Sequence, residues 1–373
     1  MPSETRSEPL APVGVPPLEG RKRLILTLTR IWSWVFLGLM LIFFSITGTG
    51  FFTLRNSQNI LVAITPVLLM GLGQTFVIIA AGIDLSVGWV MGLSSVTAAL
   101  VIRGLVDAGN PVLLAIIIGF VAGTAIATLT GLVNGLIIAK LQVPAFIVTL
   151  GASFIARGAA LLLSGGNVVG SQPRALRSFG NEALLYVVRG EGGGLFFLRK
   201  PELSGAQLRL LDRVLPWPVV VTFVIAAIAL FVLHRTQFGR HTYAIGGNRE
   251  AAVRAGIPVD RHTILLYIFS ATTAGIAGIL HTARFSGGSS IAGDPLLLPS
   301  IAAVIIGGVS LFGGKGTVLG TLVGALIIAV LQTGLVMLAV KPFWQFVVVG
   351  IVVILAVLMD QARDLILGRA EGS

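Results

Sequence analysis

The stretch RTQFGRHTYAIGGNREAAVRAGIPVDR, Arg235 to Arg261, is polar and charged, and apolar runs of membrane-spanning length flank it on both sides. It encodes a very short helix with complete punctuation. Asn248 is placed to cap free N–H groups, Glu250 falls in the first turn where the helix dipole favours an anion, and Arg254 follows at i+4. Gly256 suits a left-handed stop and Pro258 forbids continuation. Two turns do not persist alone in water, where isolated helices need roughly 12–15 residues, so this one must lean on something. Ala251, Ala252 and Ala255 give it a small-residue face open to close approach. Two readings stand: a surface turn between two spans, or a docking helix that receives force from a soluble partner.

Hydrophobic residues make up 55% of the chain and charged residues 11%, with a mean hydropathy of +0.97. Soluble domains carry about 25% charged residues, and a chain this apolar cannot hide its surface from water. Its apolar runs have the length of helices, not of the alternating strands of a barrel. The expected class is an all-α integral membrane protein. The net charge of +11 does not indicate nucleic acid, because the basic residues lie between apolar runs with no aromatic interleaving, as membrane topology requires. The absence of cysteine excludes disulfides, thiolate metal sites and cysteine nucleophiles, and four scattered histidines have no HExxH spacing. No metal or cofactor is expected.

Apolar runs mark about ten transmembrane helices, near 31–52, 60–80, 86–102, 112–139, 145–163, 217–233, 264–282, 297–311, 318–340 and 343–359. Arg21, Lys22 and Arg23 ahead of the first place the N-terminus in the cytoplasm, and an even count returns the C-terminus there. The expected organisation is a disordered cytoplasmic N-terminus (1–30), helices one to five (31–163) and a charged, glycine-rich periplasmic insert (164–216). Helix six (217–233), the cytoplasmic loop (234–263), helices seven to ten (264–360) and a cytoplasmic tail (361–373) follow. The insert carries basic residues of its own, including Arg189, Arg199 and Lys200, but loops of that length count weakly in topology.

Glycine accounts for 47 of the 373 residues, nearly twice the usual share of about 7%. The pairs Gly119 and Gly123, Gly131 and Gly135, and the series Gly316, Gly320 and Gly324 recur at four-residue spacing, which lets helix backbones touch in lipid. There is also an internal echo: Gly82-Ile83-Asp84-Leu85 with Gly88 resembles Gly308-Val309-Ser310-Leu311 with Gly314. Transporters are often built from repeated halves. The ten spans put both copies on the same side, whereas an inverted repeat would oppose them, so either a span is broken or the echo is chance.

A carboxylate near the bilayer is costly, which singles out Asp84. Its setting makes it a cap for the third span, bonding the Ser86 or Val87 N–H, and equally a residue that lines a solute path or holds a broken helix. Gln74, Asn134 and Arg157 are the other polar candidates within spans. Amides exchange hydrogen bonds with hydroxyls and suit a neutral polyhydroxylated solute, though each also serves as an interhelical bond. Arg157 lies in the outer half of its span, where it can snorkel.

No energy-converting chemistry is present. The stretch FGGKGT, Phe312 to Thr317, lacks Walker spacing: Val309 stands where glycine is needed and Gly316 where serine or threonine is. Transport would draw on a second protein or on an ion gradient. A gradient-driven carrier, with Asp84 as its proton site, or a passive channel for small polar solutes are the competing classes.

AGIDLSVG (81–88), NGLIIAKLQVPAFIVTLGASFIARG (134–158), AIGGNREAAVRAGI (244–257) and IAAVIIGGVSLFGGKGTVLGTLVGALI (301–327) together resemble the permease subunits of bacterial ribose- and xylose-type ABC importers for simple sugars. The likeness runs from about Asn59 to Asp360, with four motifs in the family's order. It implies a multi-pass protein of the bacterial inner membrane that pairs with a second copy of itself, a cytoplasmic ABC ATPase subunit and a periplasmic sugar-binding protein, and that is not itself an enzyme. Glu250, Ala251, Ala252 and Gly256 match the loop that meets the ATPase, so the coupling set is Asn248, Arg249, Glu250, Ala251, Ala252, Arg254 and Gly256. The candidate path set is Gln74, Asp84, Ser86, Asn134 and Arg157. The insert departs from the family in its length.

Overall fold

A computed structural model describes residues 20–190, 193–203, 205, 210–341, 343–352, 354–355 and 358. The expectations for 1–19 and for the tail at 361–373 lie outside the described residues. In chain order the elements are α1 (Gly20–Thr47), α2 (Leu54–Ile79), α3 (Val87–Asp107), α4 (Val112–Lys140), α5 (Ala145–Ser164) and α6 (Arg174–Asn181). Three strands follow, β1 (Ala183–Val188), β2 (Gly194–Phe197) and β3 (Leu211–Pro216). Then come α7 (Trp217–Arg235), α8 (Gln237–Gly247), α9 (Arg249–Arg254), α10 (Val259–Phe285), α11 (Leu297–Ile306) and α12 (Val318–Met337). Among the described residues seven helices are long and apolar enough to cross a membrane, α2, α3, α4, α5, α7, α10 and α12, and shorter apolar helices lie at Trp32–Thr47, Asp294–Ile306 and Phe343–Val352.

Three expectations need correction. The chain is not all-α: part of the insert forms an antiparallel sheet of order β2-β1-β3, with Ala183 paired to Pro216 and Leu185 to Phe197. The first helix begins at Gly20, so residues 20–30 are helical. The run 297–311 is helical only to Ile306, because the chain turns at Gly307 and Gly308, the latter with φ +85°, and is non-helical until Val318. Ten residues rise about 15 Å, half of a hydrocarbon core of about 30 Å.

α2 lies at the centre, packed against α10, α11, α12 and α7, and its residues from Val67 to Ile79 are buried. α4 and α5 sit outside, and turn Leu113, Ile117, Val121, Phe146 and Phe154 outward as an apolar surface suited to lipid. The glycine pairs hold helices at backbone contact. A Cβ on Gly131 would lie 2.4 Å from the Tyr267 carbonyl oxygen of α10, and one on Gly123 would lie 3.0 Å from that of Ser94 in α3. A Cβ on Gly324 would lie 1.9 Å from the Ala303 oxygen of α11. Gly316, with φ +148°, falls in the turn before α12 and is not part of that helical stripe.

The internal echo corresponds to two helices broken in the same way. α2 ends with Ala81 in the left-handed region (φ 62°), Ala81 N–H donating to Ile78 O and Gly82 N–H to Val77 O. α11 ends with Gly308 left-handed, Gly308 N–H donating to Ile305 O and Val309 N–H to Val304 O. These are Schellman endings, which satisfy carbonyls that an ended helix leaves open. The polar residues of the echo also match: Asp84 Oδ1 accepts from Ser86 N–H, and Ser310 Oγ accepts from Phe312 N–H. The two unwound segments meet, with Gly314 N–H donating to Ile79 O at 2.8 Å.

Candidate functional site

After Ala81 the chain turns back on itself, and residues 82–86 run alongside the last turns of α2, so that the Asp84 carbonyl accepts from Gln74 Nε2 at 2.7 Å. Asp84 is fully buried and fully bonded. Its Oδ1 accepts from the Ser86 N–H (3.0 Å) and Oγ–H (2.6 Å), and its Oδ2 accepts from Ser270 Oγ–H in α10 at 2.8 Å. Ser86 Oγ in turn accepts from Asn134 Nδ2 in α4 at 3.1 Å. The carbonyl of Ile83 accepts weak bonds of 3.4 Å from Thr149 Oγ1 in α5 and the Tyr267 hydroxyl in α10. Four helices thus converge on one short extended segment, whose backbone groups need partners where water is scarce.

Of the five candidate path residues, Gln74, Asp84, Ser86 and Asn134 are brought together. Arg157 is not: it is exposed on α5, its guanidinium 4.7 Å from the ring centroid of Trp89 in α3, a cation–π contact. Asp84 bonds the Ser86 N–H, but it lies three residues ahead of Val87, the first residue of α3, whose cap position is Ser86, so it is not the N-cap of that helix. Ser270, Tyr267 and Thr149 escaped the sequence reading. The signal for the first two was the series Thr263, Tyr267, Ser270 and Thr273, polar positions at helical spacing on one face of an otherwise apolar run.

The short helix of the opening stretch is α9. Asn248 caps it, its Oδ1 accepting from Ala251 N–H at 2.9 Å. Arg254 donates to Glu250 at 3.3 Å, and Gly256 takes φ +78°. What it leans on is the protein itself: Ala252 is buried against Ile245 and Val259. Ala251, Val253 and Ala255 stay exposed, with Glu250 and Arg254 on the solvent side of the helix between Val253 and the two alanines. Arg249 reaches back, Nη2 to Gln142 Oε1 at 3.5 Å and to Asp260 at 4.0 Å, while Lys140 holds Asp260 at 3.1 Å.

α8 joins this helix to both unwound segments. Gly246 abuts Ile79 and Gly314, and the Tyr243 hydroxyl donates to Gly316 O at 2.6 Å. Burial pushes the Tyr243 phenol pKa up, which keeps it a proton donor. Between α9 and the Asp84 segment lies a cavity of about 320 Å³, lined by Ala80, Gly82, Pro144, Arg249, Thr263 and Tyr267 among others. No group here is arranged for bond-breaking chemistry. The arrangement is mechanical: an exposed capped helix, a backbone junction, and a buried polar lock on a broken span.

A bundle of apolar helices with interrupted spans and a short, exposed, capped helix between two of them defines a membrane transport subunit. The chain belongs to the family described as branched-chain amino acid transport system / permease component, whose model matches residues 56–357. It is 35% identical over 341 residues to the ribose import permease protein of Escherichia coli K12, covering 90% of this chain and 96% of that one. It is 38% identical over 332 residues to the ribose import permease protein of Bacillus subtilis, covering 88% and 92%. It is 35% identical over 361 residues to the xylose transport system permease protein of Haemophilus influenzae, covering 88% and 94%. No solved structure matches the chain at comparable significance. The protein is therefore a multi-pass permease of a bacterial cell membrane, a transport component and not an enzyme.

Proposed function

We infer that this permease imports a monosaccharide or sugar-like solute from periplasm to cytoplasm, driven by a partner ABC ATPase and fed by a periplasmic sugar-binding protein. The observation that carries this is the near full-length likeness to ribose and xylose permeases, joined to an exposed helix capped at Asn248 and stopped at Gly256. In this reading about ten crossings leave both termini in the cytoplasm, the 234–263 loop faces the ATPase, and the 164–216 insert lies outside. Two copies form the channel. The coupling residues are Asn248, Arg249, Glu250, Ala251, Ala252, Arg254 and Gly256. A push on α9 passes through Gly246 and Tyr243 to the two unwound segments, and the bonds among Gln74, Asp84, Ser86 and Asn134 hold one of two states of the bundle.

Selectivity rests mostly with the binding protein, so the path can bind weakly. That Asp84 is fully hydrogen-bonded counts against a proton-driven carrier, which needs a carboxylate open to solvent in part of its cycle. The deciding experiment is uptake of a labelled sugar panel into vesicles holding the permease, its ATPase and its binding protein. ATP-dependent uptake of one sugar is expected. Uptake that survives ATP depletion and collapses with a proton uncoupler would overturn the reading.

A further inference from the structure

The strand β2 and the residues after it stand apart from the rest of the insert. β1 buries Ala183 and Tyr186, and β3 packs on α2 and buries Asp212, which Arg189 pairs with. β2 forms the far edge, and Leu195, Phe196, Phe197 and Leu198 are 75%, 36%, 64% and 57% exposed. Successive side chains of a strand point to opposite faces, so Leu195 and Phe197 share one uncovered apolar face, while Phe196, paired with buried Tyr186, is largely covered on the other. An edge this apolar standing in water would be an aggregation site.

The register bounds its distance from the start of α7. Trp217, the first residue of α7 and a residue type enriched at the membrane interface, donates its N–H to Glu182 O at 3.1 Å. Ala183 then pairs with Pro216 and Leu185 with Phe197. Phe197 is two residues along and one strand across from Ala183, about 10 Å or less whichever way the sheet tilts. The headgroup layer is roughly 5–7 Å deep on each side. Leu198, whose N–H donates to Leu184 O, leads on to exposed Arg199 and Lys200. The backbone edge of β2, unpaired among the described residues, is kept out of the hydrocarbon interior and is compatible with the boundary between headgroups and acyl chains.

We propose that β2 is a lipid-seated anchor: Leu195 to Leu198 rests at the acyl boundary of the leaflet on the insert's side, and Arg199 and Lys200 engage lipid phosphates. It holds the sheet, and through β3 the outer end of α2, at a fixed height against the membrane. This requires only that α7 enters the bilayer at Trp217, and does not depend on which solute is carried.

The natural absence of cysteine makes the test direct. The full-length permease carrying Phe197→Cys, or Leu195→Cys as a second position, is labelled with an environment-sensitive fluorophore and reconstituted in phosphatidylethanolamine–phosphatidylglycerol vesicles. Nitroxide lipids with the spin label near the acyl carbonyl are expected to quench it and aqueous iodide to have little effect. Arg199→Gln and Lys200→Gln are each expected to lower the lipid-contacting fraction by about fivefold, the worth of one cation near an anionic surface. Iodide quenching without lipid quenching would overturn the proposal. So would shielding from iodide that arrives only when the sugar-binding protein is added, which would assign the strand to a protein partner.

Discussion

Gly246 of α8 sits so close to the end of α2 that a Cβ on it would lie 1.7 Å from the Ile79 carbonyl oxygen and 2.6 Å from the Gly314 amide nitrogen. The atoms nearest to it are all backbone. Its neighbour Gly247 has open space where a Cβ would go. Gly246→Ala is therefore expected to force α8 off the end of α2 and the Gly314 segment and to lower ATP-driven uptake at least about fivefold, as overpacking by about 1–3 kcal/mol does. Gly247→Ala should leave uptake within about twofold, a surface change. Equal uptake by the two variants in vesicles would remove the junction from the coupling route.

Asp84→Ala leaves the hydroxyls of Ser86 and Ser270 and the Ser86 N–H without their acceptor. Leaving such buried groups unpaired is expected to destabilise the protein by about 2–4 kcal/mol, read as a lower melting temperature in nanodiscs. Asp84→Asn keeps one acceptor oxygen and the shape, and should cost about half as much. Equal melting of wild type and Asp84→Ala would mean that the lock holds nothing.

Glu250→Lys reverses the charge in the first turn of α9 and breaks the pair with Arg254. The two side chains are 84% and 80% exposed, so the melting temperature should barely move, within about 0.5 kcal/mol. ATP-driven uptake should nevertheless fall. Normal uptake by this variant would remove Glu250 from the docking role.

Topology gives a fourth test. In a chain without cysteine, Ala251→Cys should react with a membrane-impermeant thiol reagent only in inside-out vesicles, and Asn167→Cys, exposed beyond α5, only in intact spheroplasts. The reverse pattern would turn the whole assignment over.

Gly131→Leu should push α4 from the Tyr267 carbonyl and destabilise by about 1–3 kcal/mol, whereas Gly158→Leu, with open space around it, should be near neutral. Melting of the two variants side by side decides whether the four-residue glycine spacing is packing, as the fold suggests.

These contrasts mark what the sequence made legible. Asn248, Glu250, Arg254 and Gly256 act within one or two turns of each other, so their cap, pair and stop follow from spacing alone. The glycine stripes were legible because helical periodicity survives tertiary packing. Ser270 was not, since its partner Asp84 lies in another element and nothing local to either names the other. Hydropathy also failed at Ile306: the run stays apolar to Leu311, and only the left-handed turn at Gly308 ends the helix. The sheet failed for the same reason as Ser270, because a strand is defined by neighbours from elsewhere in the chain. Arg157 was placed in the right helix but on its outward face.

The bond between Gly314 and Ile79 also constrains biogenesis. While the ribosome has delivered only the first half of the molecule, the Ile79 carbonyl has no amide from Gly314 to receive and α8 has not arrived to cover it. The break in α2 is then a wound that only the last third of the polypeptide can close.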